Sequence, residues 1–469
     1  MLLQTKSILE WQPEPGKLVR FVPEATPTAG WIHPSPPTAL QEAHVKKRVL
    51  DAQLGHVDAP WLALAFDLPG PFDTAAMERT LVRWVRRHGT LRTWFTQDNR
   101  GRLQRRSVHR DSVKFSTVAL SGRRSSDELG ECILDYFRQA TDPTRWPLLA
   151  AGAIVREQRS STFFLAVDHA HSDGFSVLLA LHELNAIYRE ETGGPSASLP
   201  DVGSHVEFSA LEREREAKIC ATHPAVRRWV DFWRRGPLDF AVPLGVGPGN
   251  SHPGVVVLEE LFDAAEAEAF SKACTAHGGG TTAGLYAAFA VCAHELVGQD
   301  LYRGIGVVHT RDSARWQAAQ GWFVKTIPVT VPVVAGQLFS EAVSTAQRSS
   351  STMRKLEAVS PSRLAELSPD VQQAAAGVAA PLFSYIDTRH VPGSLDWGTA
   401  NCHVLLDRPH TSTVSIWVNR YWDCTRLGGY YPDTPIARVT VPLFLGEVKR
   451  VLKEVAHSGD YRVGRNSKH

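Results

Sequence analysis

Between Thr162 and Tyr188 a short polar segment, HAHSDG, separates two apolar runs, TFFLAVD and FSVLLALHELNAIY. The first run has the length and composition of a strand, and the second, closed by Thr192-Gly193-Gly194, reads as a helix. A chain with this unit must place a strand end and a helix start side by side, with the polar residues at a sheet edge between two rigid supports. Two histidines and two aspartates then fall within six residues, Asp168 to Asp173. So dense a group of titratable side chains is costly to place unless something uses it.

The chain of 469 residues is too long for one ordinary core and predicts two large lobes. Lys plus Arg (51) nearly balances Asp plus Glu (49), so the basic excess of a nucleic-acid binder is missing. Six cysteines are scattered without CxxC spacing, which fits a reducing cytoplasm and speaks against a zinc ribbon. The opening MLLQTKSILEWQPEPGK has no apolar run suited to a signal peptide, and no window approaches a membrane span. A cytoplasmic monomer is the expectation.

Further signals set the order of elements. Residues 1–37 are Pro-rich, and RVGRNSKH closes the chain as a basic tail. Trp61 to Leu68 reads as a strand, and Asp73 caps a helix with Met77, Leu81, Trp84 and Val85 on one face. LRTWF follows as a strand, and PLLAAGAIVRE pairs with TFFLAVD across a polar turn. Residues 201–254 are polar and Pro/Gly-punctuated, and read as a helical linker between an N-terminal lobe, 1–200, and a C-terminal lobe, 255–469. In the second lobe, Val255 to Phe262 and YRGIGVV read as strands. GGGTT caps a helix ending at Gly298, and no GKS/T follows to make it a phosphate loop. Helices and strands mix without strict βαβ alternation, which favours an α+β class.

His169-Ala-His171-Ser-Asp173 resembles the start of the dinuclear hydrolase signature HxHxDH. The sixth position is Gly174, however, and no downstream His and Asp cluster completes a site, so no metal is expected. A second resemblance is broader. DHAHSDG is similar to the HHxxxDG motif of the condensation-domain superfamily, whose fold is shared with chloramphenicol acetyltransferase. The family's reactive histidine falls on His169, its Asp on Asp173 and its Gly on Gly174, while Asp168 replaces the first histidine. TALQEAH resembles the family's opening segment, LPGPFDTAAMERTLVRWVRRHGTLRTWF its RHxxLRTxF stretch, and TTAGLYAAFAVCAHELVGQDLYRGIGVVHTRD the approach to its arginine, here Arg311. GWFVKTIPVTV is similar to GxFVNTxPL, with Lys325 in place of Asn. The early EWQPEPG, the GWF and the late SIWVNRYWD and YYPDTPIA resemble stand-alone polyketide-associated (PapA-type) acyltransferases of actinobacteria within that superfamily.

The resemblance implies two chloramphenicol-acetyltransferase-like lobes in a V-shaped pseudo-dimer, with the active site in a tunnel between them. It implies an acyltransferase with no bound cofactor, taking an acyl-CoA or phosphopantetheine-linked acyl donor and a hydroxyl acceptor on a lipid, sugar or secondary metabolite. A neutral imidazole at His169 would act as general base, because a hydroxyl holds its proton at neutral pH. Asp173 would turn inward to pair with Arg311, and Gly174 would leave room for a pantetheine arm or a tight turn. Asp168 either tunes the imidazole or meets solvent at the strand end. His171, Trp322 and Lys325 line a channel or serve packing and solvation. A free-standing peptide-synthetase condensation enzyme forming an amide, and a silent docking relative, stay open as alternatives. Leu427-Gly428-Gly429 runs into Tyr430, not the serine of a carrier motif, so any carrier protein acts in trans.

Overall fold

The computed structural model describes residues 3–25, 30–53, 60–122, 124–157, 159–236, 238–247, 249–369, 371 and 380–464. Parts of the Pro-rich lead-in (26–29) and of the basic tail (465–469) therefore lie outside the described residues. The chain divides into two units. The first comprises Met1–Ala217, His309–Val324 and His390–Pro409, and the second Lys218–Val308, Lys325–Arg389 and His410–His469.

The first unit is built on a seven-stranded sheet. Its spatial order is Leu3–Ser7, Cys402–Leu406, Trp61–Leu68, Ser161–Asp168, Leu149–Val155, Lys17–Glu24 and Lys114–Ala119. Trp61–Leu68 runs antiparallel to Ser161–Asp168, from Trp61 opposite Asp168 to Leu68 opposite Ser161. Every residue of Ser161–Asp168 is buried, as a central strand covered on both faces requires, which accounts for its nearly unbroken apolar sequence. The Thr74–Arg87 helix begins where expected: Asp73 accepts from the Ala76 N–H at 2.9 Å, and Met77, Leu81, Trp84 and Val85 are fully buried. LRTWF departs from expectation, since Gly89–Arg92 forms a 3₁₀ turn and the strand starts at Thr93.

The second unit has its own seven-stranded sheet, in the order Val324–Pro332, Leu301–His309, Leu382–Asp387, Ser415–Arg420, Cys424–Pro432, His252–Asp263 and His410–Thr411. The Ala-rich Thr281–Val297 helix is buried around most of its circumference, because small side chains let neighbouring helices approach closely. Gly298 ends it at φ 70°, a left-handed position suited to glycine.

These units are not the contiguous lobes expected from the sequence. Cys402–Leu406 inserts between Leu3–Ser7, to which it is parallel, and Trp61–Leu68, to which it is antiparallel, so 390–409 joins the first sheet. The expected linker, 201–254, is divided as well. Its helix His205–Ala217 packs in the first unit with His205, Phe208 and Ser209 buried, and Pro224–Trp233 packs in the second.

Gly152 lies opposite Phe164 in the first sheet. A Cβ there would sit 2.3 Å from the Phe164 ring and 2.6 Å from the Val19 carbonyl, which as backbone cannot step aside. Gly152→Ala is expected to destabilise the protein by about 1–3 kcal/mol in urea unfolding, as an overpacked core position does.

Candidate functional site

Two aspartates shape the loop after Ser161–Asp168. The strand end is tied by Asp168 N–H to Leu148 O at 3.1 Å and by His169 N–H to Pro60 O at 3.0 Å. Asp168 Oδ1 accepts from Ala170 N–H at 2.8 Å and starts the single 3₁₀ turn His169–His171. The chain then extends to Asp173, whose Oδ1 accepts from Ser176 N–H at 2.6 Å and caps the Gly174–Glu191 helix. Gly174 is the first helical residue and does not have a positive φ, so no tight turn requires a glycine there.

Asp173 points into the protein. Its two oxygens stand 3.2 and 3.3 Å from Arg311 Nη2, and Oδ2 also accepts from Phe323 N–H at 2.9 Å. Arg311 donates further to the carbonyls of Trp316 (2.8 Å) and Ala319 (2.7 Å) and to Ser176 Oγ (2.7 Å), with its guanidinium over the Phe323 ring at 4.4 Å. Both partners are buried. Burial alone would raise the Asp173 carboxyl, but Arg311 and the Ser176 and Phe323 N–H groups together hold it below the usual range. Asp173 therefore stays a carboxylate and a structural anchor, and the pairing implied by the resemblance is present.

His169 is half-buried, with its ring 4.5 Å from the Trp322 indole. Nδ1 is buried and the ring meets the residue's own backbone, which leaves Nε2 as the nitrogen able to meet a substrate. Burial first, and then the neighbouring His44, lower its proton affinity, so the ring is neutral at neutral pH. Asp168 is fully buried rather than at a solvated strand end, and its Oδ1 lies 3.5 Å from His44 Nε2. His171 is likewise fully buried and packs on Phe95 at 5.2 Å. Trp322 stands at the site, whereas Lys325 falls in the second unit.

The loop rests on groups that sequence reasoning did not single out. Gln41 Nε2 donates to Ala170 O at 2.6 Å, and Gln41 Oε1 accepts from Arg105 Nη2 at 2.9 Å. Arg105 is buried and donates to five neutral acceptors: Ser35 O, Pro36 O, Thr93 Oγ1, Gln41 Oε1 and Ser209 Oγ. Burial brings its guanidinium down to about 9. On the other side, Gln320 Nε2 donates to Ser176 O at 2.9 Å, and Gln320 N–H donates to His88 Nδ1 at 3.3 Å. An accepting Nδ1 leaves the His88 proton on Nε2, aimed at Glu183 Oε2 2.6 Å away. Glu183 also accepts from Trp84 Nε1 and Arg87 Nε. A glutamate inside an otherwise apolar helix was the visible signal for this network, and Gln41 and His44, three residues apart in TALQEAH, were the signal for the other.

Residues 55–387 match the sequence profile of the Condensation domain family, and the chain belongs to that family. The chain is 30% identical over 471 residues to the 2'-acyl-2-O-sulfo-trehalose (hydroxy)phthioceranyltransferase PapA1 of Mycobacterium tuberculosis, covering 97% of this chain and 89% of that one. It is 28% identical to Acyltransferase PapA3 of the same organism, over 96% of each chain, and 27% identical to its trehalose-2-sulfate acyltransferase PapA2, over 95% of this chain and 96% of that one. A solved PapA2 acyl transferase superposes with a TM-score of 0.87 at 25% identity, over 97% of this chain and 100% of that one. The first condensation domain of the calcium-dependent antibiotic synthetase shares the fold, with a TM-score of 0.69 at 19% identity over 91% of this chain and 97% of that one. Acyl transfer is the activity these full-length relatives have in common, which puts the chain among the acyltransferases of the family. Among the described residues no helix is long and apolar enough to cross a membrane.

Removing the Asp173 carboxylate leaves Arg311 charged and buried. Asp173→Ala is expected to cost about 3–5 kcal/mol of stability by chemical denaturation, and Asp173→Asn, which keeps the helix cap, is expected to cost less. A second expectation concerns pH. Burial and Arg105 lower the proton affinity of His171 and His205, the latter to about 3. The unfolded chain protonates them near pH 6.5. Stability is then fully present above about pH 6.5 and falls as pH drops toward the folded-state values, by up to about 1.4 kcal/mol per pH unit for each histidine. Unfolding free energies across this range check the slope, and His205→Phe should flatten it.

Proposed function

We propose that the chain moves an acyl group from a thioester, either acyl-CoA or an acyl carrier protein, to a hydroxyl acceptor, with His169 as general base. The reading rests on one observation. A half-buried imidazole, with Nδ1 buried, sits on the Trp322 indole in a loop pinned by Asp173 and Arg311. The acceptor O–H gives its proton to Nε2 as the oxygen attacks the thioester carbonyl. The tetrahedral intermediate then expels the thiolate, which takes the proton back from His169 as the C–S bond breaks. Proton removal of this kind contributes about 10²–10⁴ in rate, and alignment of the two substrates can contribute about 7–11 kcal/mol more.

The names of PapA1 and PapA2 describe acyl transfer on sulfated trehalose. This favours a sugar hydroxyl as the acceptor over the amine of a peptide synthetase substrate. Acyl-CoA and acyl-carrier donors incubated with trehalose 2-sulfate, followed by mass spectrometry, test the donor and the acceptor together. An ester product supports the reading, and an amide formed from an amine acceptor in its place overturns it. His169→Ala is expected to lower turnover by about 10²–10⁴ while the protein stays folded, and full turnover in that variant rules out the base.

A further inference from the structure

Among the described residues, His44 Nε2 and Asp168 Oδ2 are buried without a hydrogen-bond partner, next to the His169 ring. His44 comes from the Ala39–Gln53 helix, and its Nε2 stands 3.5 Å from Asp168 Oδ1. Its ring meets the Trp322 indole edge-on at 5.4 Å and lies 6.2 Å from the ring of His169. Asp168 is fully buried and cannot touch a substrate, yet one of its oxygens has no donor. A carboxylate left in that state is expensive unless a cation forms next to it. The position is also the one where the family motif has its first histidine. Here an aspartate takes that place, and an imidazole arrives from a different helix.

Resting on the reading of His169 as general base, we propose that His44 is a positioning residue for that base. Asp168 lies 3.5 Å from the His44 ring, which stands 6.2 Å from that of His169, so a positive charge on one imidazole opposes a positive charge on the other. Two imidazoles at this separation in a buried site disfavour double protonation, so their titrations are coupled. The lowering influence of His44 on His169 agrees with this geometry. The charged or titratable groups acting around the pair among the described residues include Asp173 and His171 on the same loop, with Arg105 and His205 acting on His171. All of them are unchanged when His44 alone is replaced.

The test follows two readouts in the full chain, His44→Gln and His44→Phe, the latter keeping an aromatic ring against Trp322. Histidine NMR titration without substrates is expected to show His169 taking up its proton at higher pH in both variants than in the wild type. The acid limb of kcat/KM is expected to move the same way, so that the ratio of variant to wild-type rate falls by at least about threefold from about pH 8.5 to about pH 6. A His169 titration that stays where it is in both variants overturns the proposal. A titration that moves while the rate profile does not supports the coupling and overturns the general-base reading instead.

Discussion

The contact between Asp173 and Arg311 carries more of this architecture than any other single interaction. One carboxylate caps a helix, receives the Phe323 N–H and neutralises a buried guanidinium. That guanidinium in turn gathers the carbonyls of Trp316 and Ala319. The segment carrying Trp322 is thereby held against the loop carrying His169, although more than 130 residues separate them in the chain. An ion pair of this kind contributes little net stability compared with an apolar replacement. Its effect here is geometric: it leaves one arrangement in which neither charge is stranded.

Around that anchor the site is supported from both sides by polar groups without bulk water. Gln41 and Arg105 hold the Ala170 carbonyl, and Gln320, His88 and Glu183 hold the start of the helix through Ser176. Such networks rigidify a site only when their members are satisfied. The rings of His44 and His169 both pack on Trp322, and His44 Nε2 lies 3.5 Å from Asp168 Oδ1.

Local patterns in the sequence carried much of this. The apolar run ending at Asp168, the cap at Asp73 and the strand–loop–helix unit follow from periodicity and capping chemistry, which act over a few residues. The family resemblance supplied the partner of Asp173. Long-range pairings had no such signal. Nothing local in Cys402–Leu406 indicates that it lies between Leu3–Ser7 and Trp61–Leu68, and the charges of LEREREAK hide the buried face that includes His205 and Phe208. Arg105 looks like one more surface arginine until the fold wraps five neutral oxygens around it.

The inserted strand also bears on synthesis. Among the described residues of the first sheet, Leu3–Ser7 neighbours only Cys402–Leu406, and Trp61–Leu68 receives its second neighbour from the same segment. At about 5–20 residues per second a ribosome needs on the order of 20–80 s to make the intervening chain. During that interval an edge made of apolar strand has open backbone groups, the state in which nascent chains stick to one another. The first sheet therefore cannot be completed until Cys402–Leu406 has left the ribosome, and a chain ending before it leaves Trp61–Leu68 without that neighbour.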